Sequence, residues 1–271
     1  METVTITIII VIFLVAGFLI GTVSSIAGIG GGAFYILTIM LLIAAPIDNA
    51  RDTSAFIILL FSGMGFLSYL RQGKINVKIS LIFTGFALLG SITASIYFII
   101  FPIDNTILKI VIASVILVSG LNMVRKALRS LNMAKINDNK VEDVFSFDTL
   151  KDKTNLLKGS PLFFIAGFVA YLSGIGGGML FVPILSIFYG IPIHYATAAS
   201  TSIIFFIGIY NATARMFIGE IIYLAGILIG SGAIFGAIFG SKVSNKVPKK
   251  YLQLFVAALL IGLAIRMYFM V

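Results

Sequence analysis

The chain of 271 residues contains no cysteine, no tryptophan and a single histidine, His194. Without thiols there is no disulfide framework, no thiolate nucleophile and no cysteine metal site. One imidazole falls short of the several nitrogen or sulfur ligands that most zinc and non-haem iron chemistry takes, so no cofactor and no metal are expected. Charge is also scarce, at 11% of residues, against about 25% in a soluble domain. The hydrophobic share is 60%, and a water-facing surface cannot be covered from such a composition. The chain reads as an all-α polytopic membrane protein. Acids are the rarer charged class, 10 against 19 basic residues, for a net charge of +9. That excess is not a nucleic-acid signal, because the basic residues sit between apolar runs, where they orient a membrane protein. Met1-Glu2-Thr3 shows no basic leader region, so the first apolar run is expected to be retained.

Apolar runs fall at Val4–Ala27, Ala33–Ala45, Ser54–Leu70, Ile79–Phe101 and Ile107–Val124, and again at Pro161–Ser173, Met179–Tyr189, Ala198–Ala214, Ile221–Gly240 and Leu252–Met270. Backbone groups in lipid must pair within their own segment, which makes these runs helices. Ala33–Ala45, Pro161–Ser173 and Met179–Tyr189 are about half the length of a spanning helix, and all three border a glycine cluster.

The two sets of runs are copies. Sliding the chain so that Gly28 meets Gly174 brings Gly28-Ile29-Gly30-Gly31-Gly32 onto Gly174-Ile175-Gly176-Gly177-Gly178 without a gap. The same shift matches Gly21 to Gly167, Pro46-Ile47 to Pro192-Ile193, Ser54 to Ser200, Gly73 to Gly219, Gly90 to Gly236 and Pro102 to Pro248. A chance match of two apolar sequences would align Ile and Leu, not a glycine block and two prolines. The organisation expected is an N-terminal transmembrane repeat over 1–124, a linker over 125–159 and a C-terminal transmembrane repeat over 160–271.

Orientation follows from the basic loops, which collect on the cytoplasmic side. Arg125–Lys158 holds eight basic and five acidic residues and reads as a cytoplasmic linker. The loop of Arg71, Lys74 and Lys78 is basic, and its copy around Gly219-Glu220 is not. The loop of Lys242, Lys246, Lys249 and Lys250 is basic, and its copy, Ser95 to Asp104, is not. Basic loops at non-equivalent places are what opposite insertion predicts, as are about five segments per repeat. Two inverted repeats with both termini outside are therefore expected.

Glycine lets backbone take up positive φ and lets other groups approach the main chain. Successive bare N–H groups form an anion-binding concavity, and a helix starting there adds positive potential. Broken helices at matching places of two repeats are the usual pointer to a transporter binding site. The same glycines also suit tight helix packing; two blocks in register, each beside half-length helices, favour a site. The candidate set is the N–H groups of Gly30, Gly31, Gly32, Gly176, Gly177 and Gly178, with hydroxyls from Ser24, Ser25, Ser173, Ser200 and Thr201. Ser200 and Thr201 also suit a helix N-terminus. Asn211 and Arg215, four residues apart on one helix face, complete it. Arg215 lies near the end of its run, where it can snorkel to the interface or donate to an anion.

No Asp or Glu falls within an apolar run, which argues against a carried cation and removes an obvious proton relay. Arg51 and Asp52 read as an ion pair or cap in the turn after Pro46, and His194 as a loop residue. A reactive dyad cannot be assembled from one histidine and no cysteine, so no enzyme is expected.

These residues resemble a known family. Ala16–Leu42 and Gly167–Tyr195 look like the two signature regions of the sulfite exporter TauE/SafE family. The second is the closer, running Leu172-Ser173-Gly174-Ile175-Gly176-Gly177-Gly178-Met179-Leu180-Phe181-Val182-Pro183-Ile184-Leu185 and followed by Ala196-Thr197-Ala198-Ala199-Ser200. The resemblance spans nearly the whole chain. It implies a multi-pass cell-membrane carrier of sulfite, thiosulfate or organosulfonates, with the lipid bilayer and a small anion as its partners. One departure is Leu37, where the second copy has Pro183. An anion-selective channel and a non-transporting membrane scaffold are the alternatives. The identity of the anion, its direction, the coupling ion and the oligomeric state are not legible in the sequence.

Overall fold

The computed structural model describes residues 2–101 and 159–244, with Asp104 and scattered helical positions within 106–128 and 254–268. The expected linker, apart from Arg125, Leu128 and Gly159, and the Lys246–Lys250 part of the last basic loop lie outside the described residues. The fifth and tenth apolar runs are described only at those scattered positions, all helical.

The elements in order are α1 (Glu2–Ala27), α2 (Gly32–Ile43), α3 (Ile47–Arg71), α4 (Val77–Ile100), α5 (Ser160–Ser173), α6 (Gly178–Pro183), a π-helical turn (Ile184–Phe188), α7 (Ile193–Ile218) and α8 (Tyr223–Val243). Among the described residues, five helices are long and apolar enough to cross a membrane: α1, α3, α4, α7 and α8. The protein is an all-helical, multi-pass membrane protein. The short runs are short helices, as expected from sequence. Their lengths are set by what flanks them: glycine blocks before α2 and α6 and after α5, and Ala44 in left-handed backbone after α2.

The proline present only in the second copy has a visible effect. Pro183 cannot donate its place in the ladder, and the chain widens into the π turn behind it. With Leu37 at the matching position, α2 runs on as one α-helix.

The two copies embrace. α1 packs along α8, and α5 packs along α4, so each copy's first helix lies on the other copy's last described helix. Small residues permit this. A Cβ on Gly232 or Gly236 would collide with the Leu14 and Phe18 carbonyls of α1, and one on Gly90 or Gly167 with the Phe164 and Ala87 carbonyls across the α4–α5 seam. Close backbone approach through small residues is the ordinary basis of helix association in lipid. Serines add to both seams. Ser25 Oγ donates to the Ala237 carbonyl at 3.2 Å and Ser91 Oγ to the Gly167 carbonyl at 3.0 Å. Ile8, Val11, Ile12, Val15 and Leu19 on α1 face outward, as do Leu224, Ile227 and Phe235 on α8, where lipid replaces water as the solvent.

At the centre α3 and α7 run antiparallel. Asp52 near the start of α3 meets Arg215 near the end of α7. Gly65 packs on Thr201, and Tyr69 clusters with Ala198 and Ile75. Both long helices start after a proline, Pro46 and Pro192. This corrects two sequence expectations: His194 is not a loop residue but lies in the first turn of α7, and Arg51 and Asp52 are not in a turn but in the first turns of α3. The apolar pattern starts at Ser54, whereas the helix starts at Ile47, because these charges neutralise one another in place.

Candidate functional site

The two glycine blocks have the same backbone. The φ angles are +71° and +65° at Gly28 and Gly174, +83° and +85° at Gly30 and Gly176, and +72° and +73° at Gly31 and Gly177. This is left-handed backbone, which glycine adopts at no steric cost. The blocks meet face to face. A Cβ on Gly32 would lie 2.5 Å from Ile175 Cα, and a Cβ on Gly178 would lie 2.6 Å from Ile29 carbonyl carbon. Ser54 Oγ lies 3.2 Å from the Gly32 carbonyl and 3.0 Å from that of Gly174, a bridge between copies. Its counterpart Ser200 donates to the Gly28 carbonyl at 3.2 Å. Among the described residues, no main-chain acceptor serves the N–H groups of Gly30, Gly31, Gly32, Gly176, Gly177 or Gly178.

The hydroxyls predicted from sequence are distributed unevenly. Ser25, Ser173, Ser200 and Thr201 each donate to a main-chain carbonyl, which occupies their single proton. Ser24 Oγ is buried, lies 2.5 Å from where a Gly31 Cβ would be, and has no hydrogen-bond partner among the described residues. The Tyr35 hydroxyl, on a ring that also packs against Gly31, is in the same state. The second copy puts Ala170 and Phe181 around Gly177 instead.

A cavity of about 10 Å³ lies beside the second block, lined by Ala55, Ile58, Ala170, Tyr171, Gly174, Gly176, Ile204, Ile207, Gly208, Asn211 and Arg215. That is the space of about one water molecule. Ile58 packs over Gly176 and Ile204 over Gly30, so two equivalent isoleucines stopper the blocks. Of the residues predicted from sequence, the structure brings Gly176, Asn211 and Arg215 together on this cavity. Asn211 Oδ1 is buried without a partner among the described residues. A larger cavity of about 220 Å³ opens at the helix ends, between Met64, Leu67, Ser68, Arg71, Gln72, Ile238 and Lys242. It includes no glycine of either block.

Arg215 does not snorkel. It is 3% exposed. Its Nη1 lies 2.7 Å from Asp52 Oδ1, its Nη2 donates to the Tyr171 carbonyl at 2.8 Å, and its guanidinium lies 4.3 Å from the Tyr171 ring centroid and 5.3 Å from that of Phe98. Asp52 Oδ1 also takes Arg51 Nε at 3.0 Å, and Asp52 Oδ2 accepts the Glu220 N–H at 3.2 Å. Arg51 is 2% exposed, lies 4.6 Å over Phe98 and pairs with Asp48 at 3.2 Å. Two buried guanidinia thus share one buried carboxylate, and the half-exposed Asp48 supplies the other acid. The four charges balance, with one carboxylate shared between two guanidinia.

The sequence reading had Arg51 and Asp52 as an ion pair, which the structure shows at 3.0 Å, but it took them for a turn and missed their link to Arg215. A signal was present: the repeat breaks at Asp52, matched to Ala198, and at Arg215, matched to Tyr69. These are opposite charges on two helices that the structure lays side by side. The matched position still makes the matched bond. Tyr69 Oη donates to the Ser25 carbonyl at 2.8 Å, and Ser25 is the counterpart of Tyr171.

Half-length helices meeting at paired glycine blocks, within a bundle of membrane-spanning helices and beside a buried charged cluster, define a membrane transporter. The sequence profile described as "Sulfite exporter TauE/SafE" matches residues 11–267, and the chain belongs to that family. It is similar to "Probable membrane transporter protein YunE" of Bacillus subtilis (strain 168), at 26% identity over 83% of this chain and 85% of that protein. It also resembles "Probable membrane transporter protein YdhB" of the same organism, at 40% identity over 27% of this chain and 30% of that one. No solved structure matches the chain.

Proposed function

We propose that the protein is a secondary carrier of a small anion, such as sulfite, thiosulfate or an organosulfonate, working by alternating access. The observation that carries this reading is the cavity lined by Gly176, whose N–H has no main-chain acceptor among the described residues, together with Asn211 and Arg215, next to the buried Arg51–Asp52 pair. Peptide dipoles and a fixed guanidinium suit an oxyanion. In this reading the N–H groups of both blocks and Ser24 hold the oxygens, and Arg215 with Asn211 meets the charge. A space of about one water is too small for an oxyanion, so in this reading loading requires Ile58 and Ile204 to move aside as one repeat rocks against the other.

Inverted insertion is supported by two features. The corresponding helices α3 and α7 are antiparallel, and the basic Arg71 and Lys242, from non-equivalent loops, line one cavity at the same end. That end would be cytoplasmic. The test is purified protein in liposomes with labelled sulfite, thiosulfate, methanesulfonate and sulfate, with and without a pH gradient. Saturable flux of at least one anion is expected. Saturable flux of a cation with none of any anion would overturn the reading, and single-channel currents would replace the carrier with a channel.

A further inference from the structure

We propose that Asp52 is an exchangeable internal counter-ion: an arriving anion takes its place on Arg215 and thereby releases a tie between the two repeats. This rests on the anion-carrier reading above and assigns a role that the reading does not.

Four observations carry it. First, Arg215 is held independently of Asp52, by the Tyr171 carbonyl at 2.8 Å and by the Tyr171 ring. It stays in place if the carboxylate leaves. Second, Asp52 has another seat. Arg51 Nε already lies 3.0 Å from the same oxygen, and Arg51 Nη1 is buried without a hydrogen-bond partner among the described residues. A buried charge stripped of its partner is strongly destabilising, and the spare donor of Arg51 lets Asp52 move without that penalty. Third, Arg215 opens on a cavity that Asn211 also lines, and an amide NH2 there can donate to an anion that reaches Arg215.

Fourth, Asp52 does more than neutralise. Its Oδ2 accepts the Glu220 N–H, and the adjacent Thr53 Oγ1 accepts the Ile222 N–H at 2.9 Å. A Cβ on Gly219 would collide with the Asp52 carboxylate. The turn between α7 and α8, in the second copy, is thus fastened to the start of α3, in the first. When Arg215 is taken by an anion, the carboxylate swings toward Arg51 and loosens this fastening. The anion opens its own mouth of the carrier. The matched place at the other end has Ala198 and Tyr69, with no acid to exchange, so only one mouth answers to charge.

The chain has no cysteine, so a single Ile207→Cys on the cavity wall reports opening through its labelling rate by a water-soluble maleimide. The protein is placed in liposomes in gluconate, then in methanesulfonate or sulfate, which do not consume the reagent, and flux of the same two anions is measured alongside. In gluconate labelling is slow, and the small anions accelerate it by about tenfold or more, the scale of a modest population shift. With Asp52→Asn the fast rate is expected without any anion, and the anion response disappears. Arg215→Tyr, which copies Tyr69 and keeps a donor toward Tyr171, behaves likewise and stands in if Asp52→Asn does not fold. Slow labelling by both variants, or an intact anion response in either, overturns the exchange. If the unsubstituted protein still carries the anion, that outcome leaves the carrier reading standing. Absence of both flux and labelling response in the unsubstituted protein overturns the two together.

Discussion

The first turns of α3 and the first turns of α7 occupy matching places in the duplication and have been finished in opposite ways. At the start of α3, Asp52 holds Arg215 and the α7–α8 turn through charge. At the start of α7, Ala198 packs on Tyr69 and Ile75 through apolar contact. Between them lie the glycine blocks, where the copies agree to within a few degrees in φ. The difference separates two kinds of requirement. Main-chain geometry is duplicated because both halves need the same close approach. Tyr69 and Arg215 even reach matching carbonyls, those of Ser25 and Tyr171, at the same 2.8 Å. Charge is not duplicated, because a second buried cluster would double the desolvation cost without adding an anion.

This comparison is most severely tested in the region where the halves agree. Gly32→Val and Gly178→Val each drive a side chain into facing main chain, and each is expected to cost more than about 4 kcal/mol. Thermal unfolding in detergent with size-exclusion chromatography checks this; a mild effect at one position and a severe one at the other would break the equivalence of the blocks. Next comes the region where they differ. Arg215→Leu removes one of the two guanidinia on Asp52, with Arg51 remaining, and is expected to cost about 1.5–3 kcal/mol, and Asp52→Leu is expected to cost less in that background than alone. A double-variant loss equal to the sum of the two single losses would mean that the two charges are not coupled. At the matched position, Tyr69→Phe loses one hydrogen bond and leaves the Ser25 carbonyl unpaired, for about 1 kcal/mol. A loss as large as that of Arg215→Leu would erase the contrast between the ends.

The smallest effect comes from another mismatched pair. Ala44 closes α2 with φ +53°, and its counterpart Gly190 has φ +66°. Ala44→Gly is expected to stabilise by about 0.5 kcal/mol, relief of left-handed strain less the entropy of glycine, and Gly190→Ala to destabilise by about 1 kcal/mol. Unfolding midpoints that move in the same direction would show that the two turns are not equivalent.

Much of this was legible before the structure. The half-length runs became α2, α5, α6 and the π turn because glycine clusters end or start helices whatever surrounds them. Pro183 announced its break in the second copy. Gly176, Asn211 and Arg215 were singled out by type and spacing and share one cavity. The misreading of Asp52 and Arg51 has a definite cause. A charged pentapeptide, Asp48-Asn49-Ala50-Arg51-Asp52, after a proline satisfies every local criterion for a loop, and nothing within a window of neighbours reveals that Arg215 stands opposite. The spending of Ser25, Ser173, Ser200 and Thr201 on carbonyls was equally hidden, since a serine beside a glycine block serves a ligand or a neighbouring helix equally well by composition.

By itself the sequence determined that the chain lives in lipid, that it is a doubled unit, and where its helices break. Those properties follow from hydropathy, register and the conformational freedom of glycine, all of which act over a few residues. Only the tertiary structure decided that the glycine blocks abut, that the cavity between helices is closed to about one water, and that an acid from the first copy neutralises a base from the second. Each of these depends on which faces of distant segments are pressed together, and the free energy of a buried charge is set by its neighbours in space rather than along the chain.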